Sequence, residues 1–351
     1  MKERGISPKT KRTLLIILSA FLSVILVVLI AGTAYMERML NLINKNPDDS
    51  TMSREEYEQY QKDQLATEET GFTGETIDPN DVDLNLNDKP VEDQENIINI
   101  MLIGQDRRPG EGRQRSDVMI LCSINKKTKE LTMTSFMRDL YVSVPGYGGD
   151  KMNAAYAYGG MKLLDKTLQE NFGIKVDGQM EVDFDGFKDI IDLVGGVDIY
   201  LGNTEANYMV SHGHQVFNGV NRLYGEAALF YARNRSIGNG DFTRTERQRK
   251  VLNALFEKCR GMSLSQLQKL MERALPMITT DMTNRQLLDY LTDMVPMLTD
   301  VQVNTNRIPA DGTYSSKYIT GVGSVLVPDL EANRAILEDI MTRTVRPTEA
   351  E

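Results

Sequence analysis

Apolar positions fall into three regimes along this chain. Residues 14–34 form an uncharged apolar run, about the length a helix needs to cross a bilayer. Residues 37–94 are polar and acidic with few large apolar side chains, and only residues 55–64 carry a short helical pattern. From about Asn96 the chain alternates short apolar runs with helical spacing. Residues 97–103 read as a buried strand ending at Gly104. Residues 117–124 and 130–136 read as two more strands, joined by a hairpin connection at Lys126–Lys129.

The spacing predicts a helix over 153–172, stopped by Gly173. Asp183 can cap a second helix whose apolar residues recur at Phe184, Phe187, Ile191 and Val194. Gly195 and Gly196 stop it, and 197–201 returns as a strand. Helical patterns follow at 223–232, 245–260, 263–275 and 284–297, then a strand near 301–308 and a closing helix near 330–342. Strands interleaved with helices predict an α/β fold with a central, mostly β sheet flanked by helices.

Charge changes the picture at both ends of this map. Lys2, Arg4, Lys9, Lys11 and Arg12 precede the apolar run, against Glu3 alone. The positive-inside rule then predicts a single-pass membrane protein with a cytoplasmic N-terminus and everything after the span outside the cell. A cleaved signal peptide would need a shorter apolar core and a small-x-small site, which Ala31-Gly-Thr-Ala34 offers only weakly. The expected divisions are a cytoplasmic tail at 1–13, a transmembrane helix at 14–35, a stalk at 36–95, a main globular domain at 96–343 and a disordered tail at 344–351. The net charge of -10 argues against nucleic acid as a partner. Cys122 and Cys259, the only cysteines, sit in unrelated contexts and read as thiols. His212 and His214 read as part of a polar loop, because two ligands without a third make a weak metal site.

Against this acidic background, residues 231–250 concentrate Arg233, Arg235, Arg244, Arg247 and Arg249 around Asp241 and Glu246. The guanidinium is a planar fork that matches phosphate oxygens two at a time. With Gly238 and Gly240 between the arginines, the run reads as a loop that cradles an anion. Four other segments at strand ends or helix starts share its chemistry. They carry Asp106 and Arg107, Arg115 and Asp117, Arg138 and Asp139, and Lys151. Ligands of α/β sheets tend to bind outside strand ends. Asp106 and Asp117 are two carboxylates of the kind Mg²⁺ (or Mn²⁺) takes beside phosphates. No GxxxxGK[ST] is present, which disfavours a P-loop nucleotide hydrolase.

In order, these segments resemble the LytR-CpsA-Psr proteins of bacterial cell envelopes over about 96–342. The anchors are Gly104-Gln-Asp106, Arg115-Ser-Asp117, Ser135-Phe-Met-Arg138-Asp139, Lys151-Met-Asn153 through Gly160, Asp183-Phe-Asp-Gly-Phe187 with Gly195-Gly-Val197, Gly225-Glu-Ala-Ala-Leu229, Tyr231-Ala-Arg233-Asn-Arg235 and Gly240-Asp-Phe-Thr-Arg244-Thr-Glu-Arg-Gln248. Phe136-Met137 departs from the family, which often has proline before the arginine.

The resemblance implies an α/β/α domain whose apolar pocket receives a lipid tail. It also implies a phosphotransferase that moves a glycopolymer, such as wall teichoic acid or capsule, from a polyprenyl-pyrophosphate carrier to peptidoglycan through a phosphodiester bond. The setting would be the outer face of a Gram-positive-type membrane. On this reading Asp106, Asp117, Arg138, Arg233 and Arg235 are catalytic. Arg107, Arg115, Lys151, Asp241, Arg244 and Gln248 bind the pyrophosphate, and Asp106 and Asp117 hold the metal. Either aspartate is a candidate base. The rival expectations are a pyrophosphatase using water as acceptor and a non-catalytic envelope regulator.

Overall fold

The structure is a computed structural model that describes residues 32–67, 75–82, 84, 95–107, 112–294, 297 and 300–344. The expected cytoplasmic tail, most of the expected span and residues 345–351 lie outside the described residues. Among those described, no helix is long and apolar enough to cross a membrane.

Residues 32–40 are helical. They are followed by α1 (Arg54–Thr67) and the two-residue strand β1 (Thr76–Ile77). The main body begins with β2 (Ile97–Gln105), β3 (Ser116–Asn125) and β4 (Glu130–Phe136), then β5 (Tyr141–Val144), β6 (Gly148–Lys151) and α2 (Met152–Phe172). It continues through β7 (Gly178–Asp183), α3 (Phe184–Leu193), β8 (Val197–Leu201), α4 (Asn203–Ser211), β9 (Gly219–Leu223) and α5 (Gly225–Arg233). The last part is α6 (Gly240–Arg260), α7 (Leu264–Ala274), β10 (Thr279–Thr280), α8 (Asn284–Met294), β11 (Gln302–Ile308), β12 (Tyr314–Ile319), β13 (Gly323–Pro328) and α9 (Leu330–Thr342).

The central sheet has the order β10-β7-β2-β3-β4-β11. It is mixed: β2 runs parallel to β7 and antiparallel to β3, while β4 runs antiparallel to β3 and parallel to β11. Alternation along β2 explains its layers, because successive side chains point to opposite faces. Ile97, Met101 and Ile103 join the core that includes α2 and α9, whereas Ile98 and Ile100 join the core on the other face with Leu287 of α8. Both faces are covered, so the strand reads as a nearly continuous apolar run. A third core, with Ile191, Val197, Leu223, Tyr231 and Val251, ties α3, the β8–β9 hairpin, α5 and α6 together beside the sheet.

Local signals set the helix ends. The Asp183 carboxylate accepts from Gly186 N at 2.8 Å and caps α3. Gly173 closes α2 in the left-handed region at φ 69°, its N–H bonded to Gln169 O. Ser263 and Gln266 form a reciprocal capping box on α7.

Two expectations need correction. First, residues 240–244 are not part of a loop; α6 begins at Gly240, and the cradle is the first two turns of a helix plus the short connection before it. Helical spacing was hidden there because those turns carry polar side chains on the face that meets the site. Second, the described residues of the expected stalk do not stand away from the domain. Met39, Leu40 and Ile43 are buried, and Asn44 bridges Thr279 of β10. Arg113 pins the following segment by donating to Ser50 O at 2.5 Å and pairing with Asp48 at 3.2 Å. Helix α1 then lies on the domain, where Tyr57 packs against Tyr147 and Tyr158 with ring centroids 5.1 Å away in each case.

Candidate active site

Topology brings the site together. β2 ends where antiparallel β3 begins, and β4 ends beside the same edge, so Asp106, Asp117 and Arg138 converge from three strands. The amino end of α6 and the carboxyl end of α5 approach this edge and add Asp241, Arg244, Arg233 and Arg235.

Two carboxylates organise the arginines. Asp241 pairs with Arg138 at 2.9 Å, Arg235 at 3.1 Å and Arg244 at 3.1 Å. Asp117 faces the same three, at 3.2 Å from Arg138, 3.6 Å from Arg244 and 3.9 Å from Arg235. Counting Arg115, Arg138, Arg233, Arg235, Arg244 and Lys151 against Asp106, Asp117, Asp139 and Asp241, the site keeps a cationic surplus. Arg138 also pairs with Asp139 at 3.3 Å. Arg233 donates to Asp106 at 3.0 Å, and its guanidinium lies 4.6 Å from the centre of the Phe184 ring.

Burial sets the electrostatics. It favours the neutral acid of Asp241, yet Arg244, Arg138 and Arg235 outweigh it and hold that carboxyl below its ordinary range. Burial also works against the Arg138 cation, but Asp139, Asp241 and Asp117 together keep it above its usual value. Arg244 is 3% exposed, and burial together with neighbouring Arg138 pushes it down to about 10, still cationic at neutral pH. The Nε atoms of Arg115 and Arg244 are buried without a hydrogen-bond partner. Donors left in this state at the centre of a cationic cluster suit an anion that brings its own acceptors.

Two cavities meet at the cluster, and Asp117 lines both. One, of about 550 Å³, is almost wholly apolar, with Leu102, Val118, Ile120, Phe187, Ile190, Leu229, Leu252, Leu255 and Leu270 in its walls. Arg233, Arg235, Arg244 and Gln248 also line this cavity, so its polar contribution comes from the cluster. The other, of about 410 Å³, is polar and includes Asp106, Arg115, Arg138, Asp139, Lys151 and Asn153. An apolar chamber beside a guanidinium cluster fits an amphiphile with an anionic head.

Most of the sequence-derived site residues therefore come together. Arg107 does not: it lines neither cavity and turns toward Glu181 at 3.9 Å. Glu181 is itself buried and accepts from Gln105 and from the Tyr156 hydroxyl, which fixes the end of β2 just before Asp106. Arg247 and Arg249 also face away. Arg247 pairs with Glu205 at 2.9 Å, and Arg249 donates to Ser135 Oγ at 2.7 Å. Glu246 pairs with Lys250. His212 and His214 pack against Phe230 at 5.3 Å and 4.5 Å between ring centres, away from this site. Sequence reasoning missed Tyr60, Gln61 and Gln64 of α1 and Gln114, all in the polar cavity, and Cys259, a wall residue of the apolar one. Cys122 and Cys259 are unpaired thiols, and burial pushes Cys122 up to about 12.

Asp106 and Asp117 offer hard oxygen donors to the same polar cavity. Among the described residues no third His, Cys, Asp or Glu joins them in a cage. Such a sparse donor set fits Mg²⁺, which keeps several waters and is completed by phosphate oxygens.

A mixed sheet between helical layers, with an arginine cluster opening on an apolar chamber, defines the class of protein. The family model described as the LytR_cpsA_psr family matches residues 52–337, and the chain belongs to that family. It is 33% identical over 235 residues to the polyisoprenyl-teichoic acid–peptidoglycan teichoic acid transferase TagU of Bacillus mycoides, covering 66% of this chain and 74% of that one. It is 41% identical over 160 residues to the regulatory protein MsrR of Staphylococcus aureus, covering 45% and 48%. Among solved structures it is similar to TagT with bound octaprenyl pyrophosphate lipid, with a TM-score of 0.54, 25% identity and coverage of 73% and 93%.

Proposed function

We propose that this chain transfers a glycopolymer from a polyprenyl-pyrophosphate carrier to peptidoglycan through a phosphodiester bond. The observation that carries the reading is the junction at Asp117, where an apolar chamber meets three arginines shared by two carboxylates. The similarity to TagU, a named teichoic acid transferase, and to TagT holding octaprenyl pyrophosphate supports it.

In this reading the prenyl chain fills the apolar chamber, each buried CH₂ contributing about 0.8 kcal/mol. Arg138, Arg233, Arg235 and Arg244 neutralise the pyrophosphate, with Arg115 and Lys151 on its polar side. Asp241 acts through the arginines by fixing their directions, and Gln248 lines the chamber beside Arg244. An acceptor hydroxyl oxygen bonds to the glycan-bearing phosphorus. The bond from that phosphorus to the bridging oxygen breaks, and polyprenyl phosphate leaves with the electron pair. The hydroxyl proton passes to Asp106 or Asp117. Positioned cations stabilise the charge that develops on the departing phosphate. A divalent cation held by Asp106 and Asp117 would supply further neutralisation of the phosphate oxygens. The setting is the outer face of the membrane, with residues 14–35 as the anchor.

Calorimetry with a prenyl pyrophosphate and the matching prenyl alcohol tests the binding half of this account. The pyrophosphate is expected to bind and the alcohol to bind at least tenfold more weakly. Equal affinity would contradict an anion site at the chamber mouth. Removing divalent cations is expected to lower transfer at least tenfold, and Asp106→Asn to raise the Mg²⁺ concentration needed for half-maximal rate. A metal-independent rate in both proteins would remove the cation from the account.

A further inference from the structure

One wall of the polar cavity comes from α1, outside the sheet. Tyr60, Gln61 and Gln64 of this helix line it together with Asp106, Arg115 and Lys151. The helix is held firmly despite its polar composition. Gln61 Nε2 donates to Asp150 at 2.6 Å and to the Tyr158 hydroxyl at 2.9 Å. Tyr147 donates to Met52 O at 3.0 Å just before the helix. The Arg115 guanidinium lies 5.5 Å from the centre of the Tyr60 ring, so α1 also supports a residue of the phosphate site.

We propose that α1 builds the acceptor subsite, with Gln64 and Tyr60 recognising the hydroxyl and amide groups of a peptidoglycan sugar. This rests on the phosphotransferase reading above. In phosphoryl transfer the attacking and leaving oxygens lie roughly in line through phosphorus. The leaving polyprenyl phosphate is drawn toward the apolar chamber, so the nucleophile enters from the opposite side. The two cavities share Asp117 and no other lining residue, which makes the polar cavity the approach that remains. Beside its charged residues, this cavity carries amide and aromatic groups that suit the hydroxyl and amide groups of a sugar. Gln64, Gln114 and Asn153 bring carboxamides to this wall, the Gln61 amide nitrogen is held by Asp150 and Tyr158, and Tyr60 adds an aromatic ring.

The test uses the full-length protein in detergent, a synthetic lipid-linked glycan as donor and a soluble muropeptide as acceptor. Gln64→Ala is expected to raise the acceptor KM about three- to tenfold, the effect of one neutral hydrogen bond. Gln64→Trp, which fills the wall, is expected to abolish muropeptide binding in saturation-transfer NMR. Prenyl pyrophosphate affinity is expected to stay within twofold of wild type in both. An unchanged acceptor KM together with unchanged muropeptide binding would overturn the subsite. So would weakened prenyl pyrophosphate binding with normal acceptor binding, which would make α1 part of the donor site. Wild-type protein that binds prenyl pyrophosphate and muropeptide yet transfers nothing would instead count against the phosphotransferase reading.

Discussion

At the residue scale, the site depends on carboxylates used as struts for arginines. Asp241 contacts Arg138, Arg235 and Arg244 at once, so its removal leaves Asp117 as the one carboxylate shared by buried Arg244, half-buried Arg138 and exposed Arg235. Breaking a buried ion pair on one side costs about 3–5 kcal/mol. Asp241→Ala is therefore expected to lower the denaturation midpoint as well as the transfer rate. Its pH dependence has a definite sign. The folded-state pKa of Asp241 lies below its unfolded value of about 3.9, so its stabilisation is complete above that value. It is lost as pH falls through the depressed folded value, and acid unfolding of Asp241→Asn is expected to lack that component. Arg233 occupies a different position: half-exposed, paired among the described residues to Asp106, and beside the chamber mouth. Arg233→Ala is expected to keep its fold and to lose about two orders of magnitude in transfer rate, roughly 3 kcal/mol of transition-state stabilisation. A native rate in that variant would remove Arg233 from the mechanism.

At the element scale, α2 shows how the segment before the main body is built into it. The helix is kinked where Gly160 takes φ 63° and ψ -152°, and a Cβ there would meet the Asp48 backbone. Gly160→Ala is expected to cost about 1–3 kcal/mol, read as a lower midpoint in chemical denaturation. The chamber permits a second test on α7. Ala274 lines it on a helix that carries none of the site arginines. Ala274→Phe is expected to weaken binding of a long prenyl pyrophosphate several-fold while sparing geranyl pyrophosphate. Equal effects on both lengths would argue against a chain lying along that wall.

Elements with an apolar stripe and a stop signal were readable in the sequence: β2, β3 and β4 from their apolar runs, α3 from the Asp183 cap, α9 from its spacing. The β5–β6 and β12–β13 hairpins and α4 were not, because each is short and partly polar. Helix α1 was visible as a helix, but its docking was not, because it is held by tyrosine rings and a glutamine with no apolar stripe to announce it. The carboxylate–arginine set was legible because its residues recur at strand ends. Which arginines face the site was not: Arg244 and Arg247 are three apart on α6, and the packing of α4 draws Arg247 away to Glu205.

At the scale of the whole molecule, the two chambers and the anchor proposed at residues 14–35 form one account. On the proposed function, a lipid carrier would be presented from a bilayer, its anionic head would reach the arginines, and the polar cavity would admit the acceptor. A C-terminal reporter active only outside the cell is expected to give signal, and silence from it would place the site in the cytoplasm and revive a regulatory role of the kind the name of MsrR suggests. The transfer claim itself is tested most directly by ³¹P NMR of the products from purified protein and a polyprenyl-pyrophosphate-linked glycan, with and without peptidoglycan. The account predicts a new phosphodiester signal and release of polyprenyl phosphate when peptidoglycan is present, and neither at a comparable rate in its absence. Release of a glycan phosphomonoester at the same rate with or without peptidoglycan would contradict it and identify the protein as a pyrophosphatase.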